Sequence, residues 1–210
     1  MKRYLVWAVI LLVLFLTLIG TLLGVDVQYV GVAGTGLGLA KMNTYLLDVL
    51  GIHPWWYELS EWLGVVCLFV VGGFGLMALV QLVRRKSLKK IDRSLYVLFL
   101  FHALLAFLYC LFERVVINYR PSALEPSFPS SHTLLVVFVM GSTSVFLSPM
   151  MCKGWERCLL QGLCLLVAVM TVFGRLLSGV HWSTDVLGAV FLSASLVLFF
   201  AAAVHKGGWR

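Results

Sequence analysis

Six apolar runs, bounded by charged or turn-forming residues, confine this chain to one kind of architecture. Hydrocarbon offers no partner for backbone N–H and C=O groups, so a segment crossing a bilayer closes its own hydrogen bonds, as a helix of roughly 20 residues. The runs read as Tyr4 to Val25, Leu59 to Val83, Ser94 to Ile117, His132 to Ser148, Cys158 to Phe173 and Asp185 to Val204, the last beginning near residue 182 if its polar approach is counted. The fourth and fifth are short for a crossing and need neighbours or local thinning. Hydrophobic residues make up 61% of the chain, charged residues 12%, and the mean hydropathy is +1.01, far from the balance of a water-soluble domain. The expected fold class is all-α, a polytopic membrane helical bundle with about six transmembrane helices. It is expected to form one domain over residues 1–210, because no hydrophilic stretch is long enough to fold separately and no internal repeat is evident.

Lys2 and Arg3 before an apolar stretch also fit a secretory signal, but the run exceeds the roughly 7–15 apolar residues such a signal uses. A first membrane span is the expectation. Orientation follows from the cations. With both termini inside, Lys2, Arg3, Arg84, Arg85, Lys86, Lys89, Lys90, Arg93, Lys153, Arg157, Lys206 and Arg210 lie inside, twelve of the sixteen Lys and Arg residues. Only Lys41, Arg114, Arg120 and Arg175 fall outside, and the positive-inside rule selects this arrangement. The net charge of +7 is then mainly topological. Cys67, Cys110 and Cys164 sit in apolar runs and Cys152 and Cys158 flank an inner turn, so no disulfide framework is implied.

The first outer loop, Asp26 to Glu58, ends in His53-Pro54-Trp55-Trp56-Tyr57, and such aromatics favour the headgroup level. Gly34-Thr35-Gly36-Leu37-Gly38 resembles a phosphate-cradling loop only superficially. No Lys-Ser/Thr follows at the required spacing, so it is read as flexible backbone.

Ionisable groups at membrane depth are costly and each asks for a reason. In this topology Glu113, Arg114, Arg120, Ser130, Ser131, His132, Arg175, His181 and Asp185 all fall at the outer ends of the third to sixth helices. Arg120 and Arg175 offer planar donor forks suited to phosphate oxygens. Ser130 and Ser131 place hydroxyls and free N–H groups at a helix N-terminus, a ready anion site. His181 and Asp185 are four apart, so they share a face if the sixth helix begins a turn before its apolar run. The carboxylate would then bind one ring nitrogen and raise the basicity of the other. His132, on another helix, is free to donate a proton. His53, His102 and His205 are read as packed residues.

These residues resemble the type 2 phosphatidic acid phosphatase superfamily, which includes bacterial lipid phosphatases. Its three motifs appear here as Glu113 through Arg120-Pro121, as Pro129-Ser130-Ser131-His132, and as Gly174-Arg175 through His181 to Asp185. Glu113 stands where the family has lysine, Ser131 where it has glycine, and Gly174 where it has serine. Arg114 is displaced by one residue from the lysine position, about 100° around a helix, and reaches a phosphate only if the helix end unwinds.

The resemblance implies a membrane lipid phosphatase in a bacterial cell membrane, acting on its outer face. His181 would be the nucleophile forming a phosphohistidine, with Asp185 and His132 completing the catalytic set. Arg120, Ser130, Ser131, Arg175 and Arg114 would bind the substrate phosphate, with no cofactor and no metal. The expected partners are the bilayer and a lipid mono- or diphosphate of the undecaprenyl diphosphate, phosphatidylglycerol phosphate or phosphatidic acid type, with no nucleic acid. Short outer loops slightly favour a polyprenyl diphosphate. Three other readings stand beside it: a lipid-to-lipid phosphotransferase, a metal-dependent hydrolase using His132, His181, Glu113, Glu125 and Asp185, and a catalytically silent lipid-binding or transport protein.

Overall fold

A computed structural model describes residues 1–207, with side chains through His205, so the Lys206 side chain and Arg210 lie outside the described residues. Its helices are α1 (Lys2–Gly24), α2 (Ala40–Leu50), α3 (Pro54–Arg85), α4 (Arg93–Arg114), α5 (Ser131–Leu147), α6 (Gly154–Leu177) and α7 (Ser183–Gly207). Among the described residues there are two isolated bridges and no strand. Six helices are long and apolar enough to span a membrane, and α2 is the exception. The all-α polytopic bundle expected from the apolar runs is what forms.

Helix boundaries differ from the apolar runs where polar residues continue a helix. α3 begins at Pro54, a residue suited to a first helical turn, so Trp55, Trp56 and Tyr57 are helical and not part of a loop. α6 extends both ways past its apolar run to 24 residues, and a 3-10 turn lengthens the α5 span to 20. Neither segment needs a thinned bilayer. Hydropathy registers only the apolar stretch, whereas the helix continues wherever its backbone bonds can form. α4 stops at Arg114, three residues short of the expected Ile117, with Val115 already non-helical.

α5 and α7 are the central helices. Half of the α5 span and 56% of the α7 span are buried, against about a fifth for the others. α5 packs on α3, α6 and α7, and α7 also packs on α1. Their shared core includes Leu134, Val136, Phe138, Val139, Ala189 and Leu192. The outer helices point large apolar residues such as Phe69 and Leu100 away from the bundle, as a lipid-facing surface requires. Hydroxyls inside the bundle are satisfied locally: Thr143 donates to Val139 O at 2.6 Å and Ser193 to Ala189 O at 2.6 Å. Ser195 reaches across to Ala8 O at 2.8 Å and ties α7 to α1.

Buried Asn43 fastens α2 to the start of α7. Its amide donates to Thr184 Oγ1 at 3.1 Å, and its oxygen accepts from Ser183 Oγ at 2.8 Å. The glycine-rich stretch is ordered: Leu37 exchanges both backbone bonds with Gln28, at 2.8 and 3.0 Å, and is itself buried. A Cβ on Gly38 would collide with the Leu22 backbone, so close packing, not flexibility, accounts for that glycine.

Glycines also let α3 approach the motif-bearing helices. A Cβ on Gly174 would stand 2.9 Å from Ser60 Cβ and 3.1 Å from Trp56 O, and one on Gly64 would stand 3.0 Å from the His132 ring. The family's serine at position 174 would therefore press α6 away from α3. Gly174→Ser is expected to cost about 1–3 kcal/mol through overpacking, read as a lowered Tm in detergent. An unchanged Tm would show that α3 does not sit this close.

Candidate active site

The segments 115–130 and 178–182, with the adjoining ends of α5, α6 and α7, bring the motif residues together at one end of the bundle. Asp185, in the first turn of α7, is fully buried. Its Oδ2 accepts the Trp182 N–H at 2.9 Å and the Ser127 hydroxyl, and its Oδ1 accepts from Asn118 Nδ2 at 3.3 Å. This is the reach of a third-position acid back to the residue that caps its own helix.

His181 precedes α7 and sits on a bend, so the expectation of one helical face shared with Asp185 is corrected. Its Nδ1 lies 3.8 Å from Asp185 Oδ2, too far for the expected direct hydrogen bond. Ser127 stands between them instead: His181 Nδ1 is 3.1 Å from Ser127 O and 3.2 Å from Ser127 Oγ. The Ser127 proton goes to Asp185, so both Ser127 oxygens accept from the ring. Nδ1 therefore carries the hydrogen and Nε2 keeps its lone pair, a tautomer assigned from the network. Burial pushes His181 below the usual histidine value, with Asp185 opposing. The ring is thus disposed to be neutral.

Arg175 is only 2% exposed. Its Nη2 donates to Glu61 Oε1 at 2.5 Å, its guanidinium carbon lies 5.3 Å from the Tyr57 ring centroid, and its buried Nε has no partner among the described residues. Arg120 pairs through Nη1 with Glu125 Oε2 at 3.1 Å, and its buried Nε is likewise unpartnered. Both cations bear on His181. A buried N–H without an acceptor is costly, and these two belong to cations that both bear on one histidine, donors of the kind an anion would satisfy.

His132, in the first turn of α5, is 3.2 Å from the other oxygen of Glu61. The first-turn N–H groups of Ser131, His132 and Thr133 have no acceptor earlier in their helix. Ser130 departs from the sequence reading. Its N–H donates to Asp185 O at 3.1 Å and its buried hydroxyl accepts from Thr133 Oγ1 at 3.1 Å. Its amide is spent on fastening α5 to α7, because the chain entering α5 turns that group toward the first turn of α7. Ser131 lines the cleft beside His181 with Glu113 and Ser127. Arg114 is also corrected. It is exposed, makes no ion pair and lines none of the cavities at this end, because α4 unwinds only after it. Of the other histidines, His53 bonds to Leu50 O at 3.1 Å and His205 stacks on Tyr4, while His102 bonds to Leu98 O at 2.8 Å and lines a groove that His132 and Ser131 also line.

Glu61, Ser127 and Asn118 were not singled out in the sequence, and Tyr57 was read only as a headgroup-level aromatic. Glu61 had a signal: it is a carboxylate just inside an apolar run, the same oddity that marked the arginines. Ser127 and Asn118 had none, since their partners lie 54 to 67 positions away.

The model of the PAP2 superfamily matches residues 113–209. A solved transmembrane PAP2-type phosphatidylglycerolphosphate phosphatase from Bacillus subtilis shares the fold, with a TM-score of 0.70 and 19% identity over 97% of this chain and 98% of that one. No curated protein matches. The matched segment contains Arg120, His132, Arg175, His181 and Asp185, while Glu61 comes from a helix outside it. Arg175→Ala is expected to weaken binding of orthovanadate, a phosphate mimic, by at least about tenfold, and Arg114→Ala by less than about threefold. Equal effects, measured by titration in detergent, would place Arg114 at the anion.

Proposed function

We propose that this protein is a membrane lipid phosphatase working through His181. The observation that carries the reading is the pair of buried, unpartnered Arg175 and Arg120 Nε groups beside a histidine whose Nε2 lone pair is free. The PAP2 match supports a phosphatase, and the six apolar spans support a membrane substrate.

His181 Nε2 attacks phosphorus, forming the P–N bond as the bond to the lipid oxygen breaks, and His132 delivers a proton to that oxygen. Water, with its proton taken by His132, then attacks the phosphohistidine and returns His181 and free phosphate. Arg175, Arg120 and the first-turn amides of α5 hold the equatorial oxygens. No step calls on a metal. The five donors of the metal-dependent reading also fall apart: His132 faces Glu61, Glu125 faces Arg120, and His181 and Asp185 share Ser127.

A groove of about 430 Å³ runs from Ser131 and His132 down the flank of the bundle between α3, α4 and α5, walled by Leu68, Val71, Leu105, Ala106 and Leu135. Such a wall suits a hydrocarbon chain and favours a lipid phosphate over a soluble one. Polyprenyl diphosphate, phosphatidylglycerol phosphate and phosphatidic acid all satisfy this chemistry. The positive-inside rule, applied to the clustering of most cations in alternate loops, supports a site on the outer face with both termini cytoplasmic.

Two measurements test the reading. Purified protein with chelator present is expected to release phosphate from at least one member of a panel of these lipids without an added acceptor lipid, and His181→Ala is expected to lose at least about a thousandfold in kcat/KM. Equal release by both proteins defeats the nucleophile assignment, release only with an acceptor lipid points to phosphotransfer, and silence in chelator alone points to a metal. The nucleophile must also be neutral. Because burial lowers the His181 value from 6.5, the acid limb of kcat/KM is expected below about pH 6.5, activity holding at that pH and falling as acidity protonates the ring. A limb centred above 6.5 would assign the titration to another group.

A further inference from the structure

Glu61 lies outside the matched segment, yet its two carboxylate oxygens touch two different members of the site. Oε1 accepts from Arg175 Nη2 at 2.5 Å and Oε2 faces His132 Nε2 at 3.2 Å. A simple counter-ion for Arg175 would need only the first contact. The second requires the His132 proton to be on Nε2, since a carboxylate can only accept. Only the imidazolium can give a proton to a leaving oxygen, and it carries a hydrogen on both nitrogens, so Glu61 favours that charged form of the proposed acid and holds its Nε2–H edge in one orientation. It can do so because Gly64 and Gly174 let α3 come within contact of α5 and α6 at this level.

The charge balance of the site gives Glu61 a second effect. Glu113 stands where the family has a lysine and is exposed, Arg114 is outside the cluster, and each remaining arginine already carries a carboxylate partner. A phosphate arriving at Arg175 shares that guanidinium with Glu61, which already engages Nη2 while the buried Nε has no partner among the described residues. Two anions on one cation repel, most strongly when the second is the highly charged free phosphate.

We propose that Glu61 is a positioning residue that orients the proton-bearing Nε2 of His132 and, by sharing Arg175, weakens the hold on product phosphate. This rests on the phosphatase reading above and assigns a role within it. Glu61→Gln keeps the shape and removes the charge. Its kcat on a lipid phosphate is expected to fall at least about tenfold, while the loss on p-nitrophenyl phosphate, whose leaving group departs without a proton, is at least about fivefold smaller. Its inhibition constant for orthovanadate is expected to drop by about fivefold or more, because the competing charge on Arg175 is gone. Glu61→Asp restores the charge and is expected to bring the vanadate constant back to within about twofold of wild type.

Equal fractional losses on the two substrates, an unchanged vanadate constant in Glu61→Gln, or Glu61→Asp behaving like Glu61→Gln would each overturn the proposal. A thermal melt of each variant in detergent identifies a general loss of folding. Such a loss would lower both activities alike and would not tighten vanadate. If wild type releases no phosphate, or His181→Ala matches it, the phosphatase reading itself fails. If wild type is active and His181→Ala is not, the Glu61 results bear on Glu61 alone.

Discussion

A fully buried carboxylate holds this end of the bundle together. Asp185 accepts from Trp182, Ser127 and Asn118, and its own carbonyl accepts the Ser130 N–H. Four hydrogen bonds thus join the 115–130 loop, the turn before α7 and the first turns of two helices. Shielded from solvent, each is worth more than its counterpart on an exposed surface, and losing one leaves a buried polar group without a partner. His181 has its position only because Ser127 is held in this way.

Enclosure also explains where the polar cluster sits. α5 and α7 are the most enclosed spans, so residues at their ends are fixed by neighbours on several sides. The precision needed to set a histidine beside two guanidinium groups comes from that enclosure. Outer helices contribute lipid-facing surface, and two of them also reach the polar cluster: α6 supplies Arg175, and α3, brought close by glycines, supplies Glu61 and Tyr57 from the face that meets α5 and α6.

Departures from the family motifs have local reasons in the packing. Gly174 is small because Ser60 and the Trp56 carbonyl are close by. Glu113 points into the cleft beside His181 and makes no ion pair there. The cationic character of the site is consequently modest, resting on Arg120 and Arg175, each balanced by a glutamate.

Much was legible in the amino-acid order alone. Backbone hydrogen bonding in hydrocarbon dictates helices, so the six apolar runs fixed the number of spans, and the alternation of spans put Arg120, His132, Arg175, His181 and Asp185 at one end. Those statements depend only on length, hydropathy and parity. Tertiary structure decided what depends on side-chain distance: that Ser127 and not Asp185 meets His181, that Ser130 is used up in fastening, that Arg114 is left outside, and that Glu61 joins from a distant helix. Contacts of this kind arise from how closely helices approach and how they are rotated, and neither quantity is written in the hydropathy of any single segment.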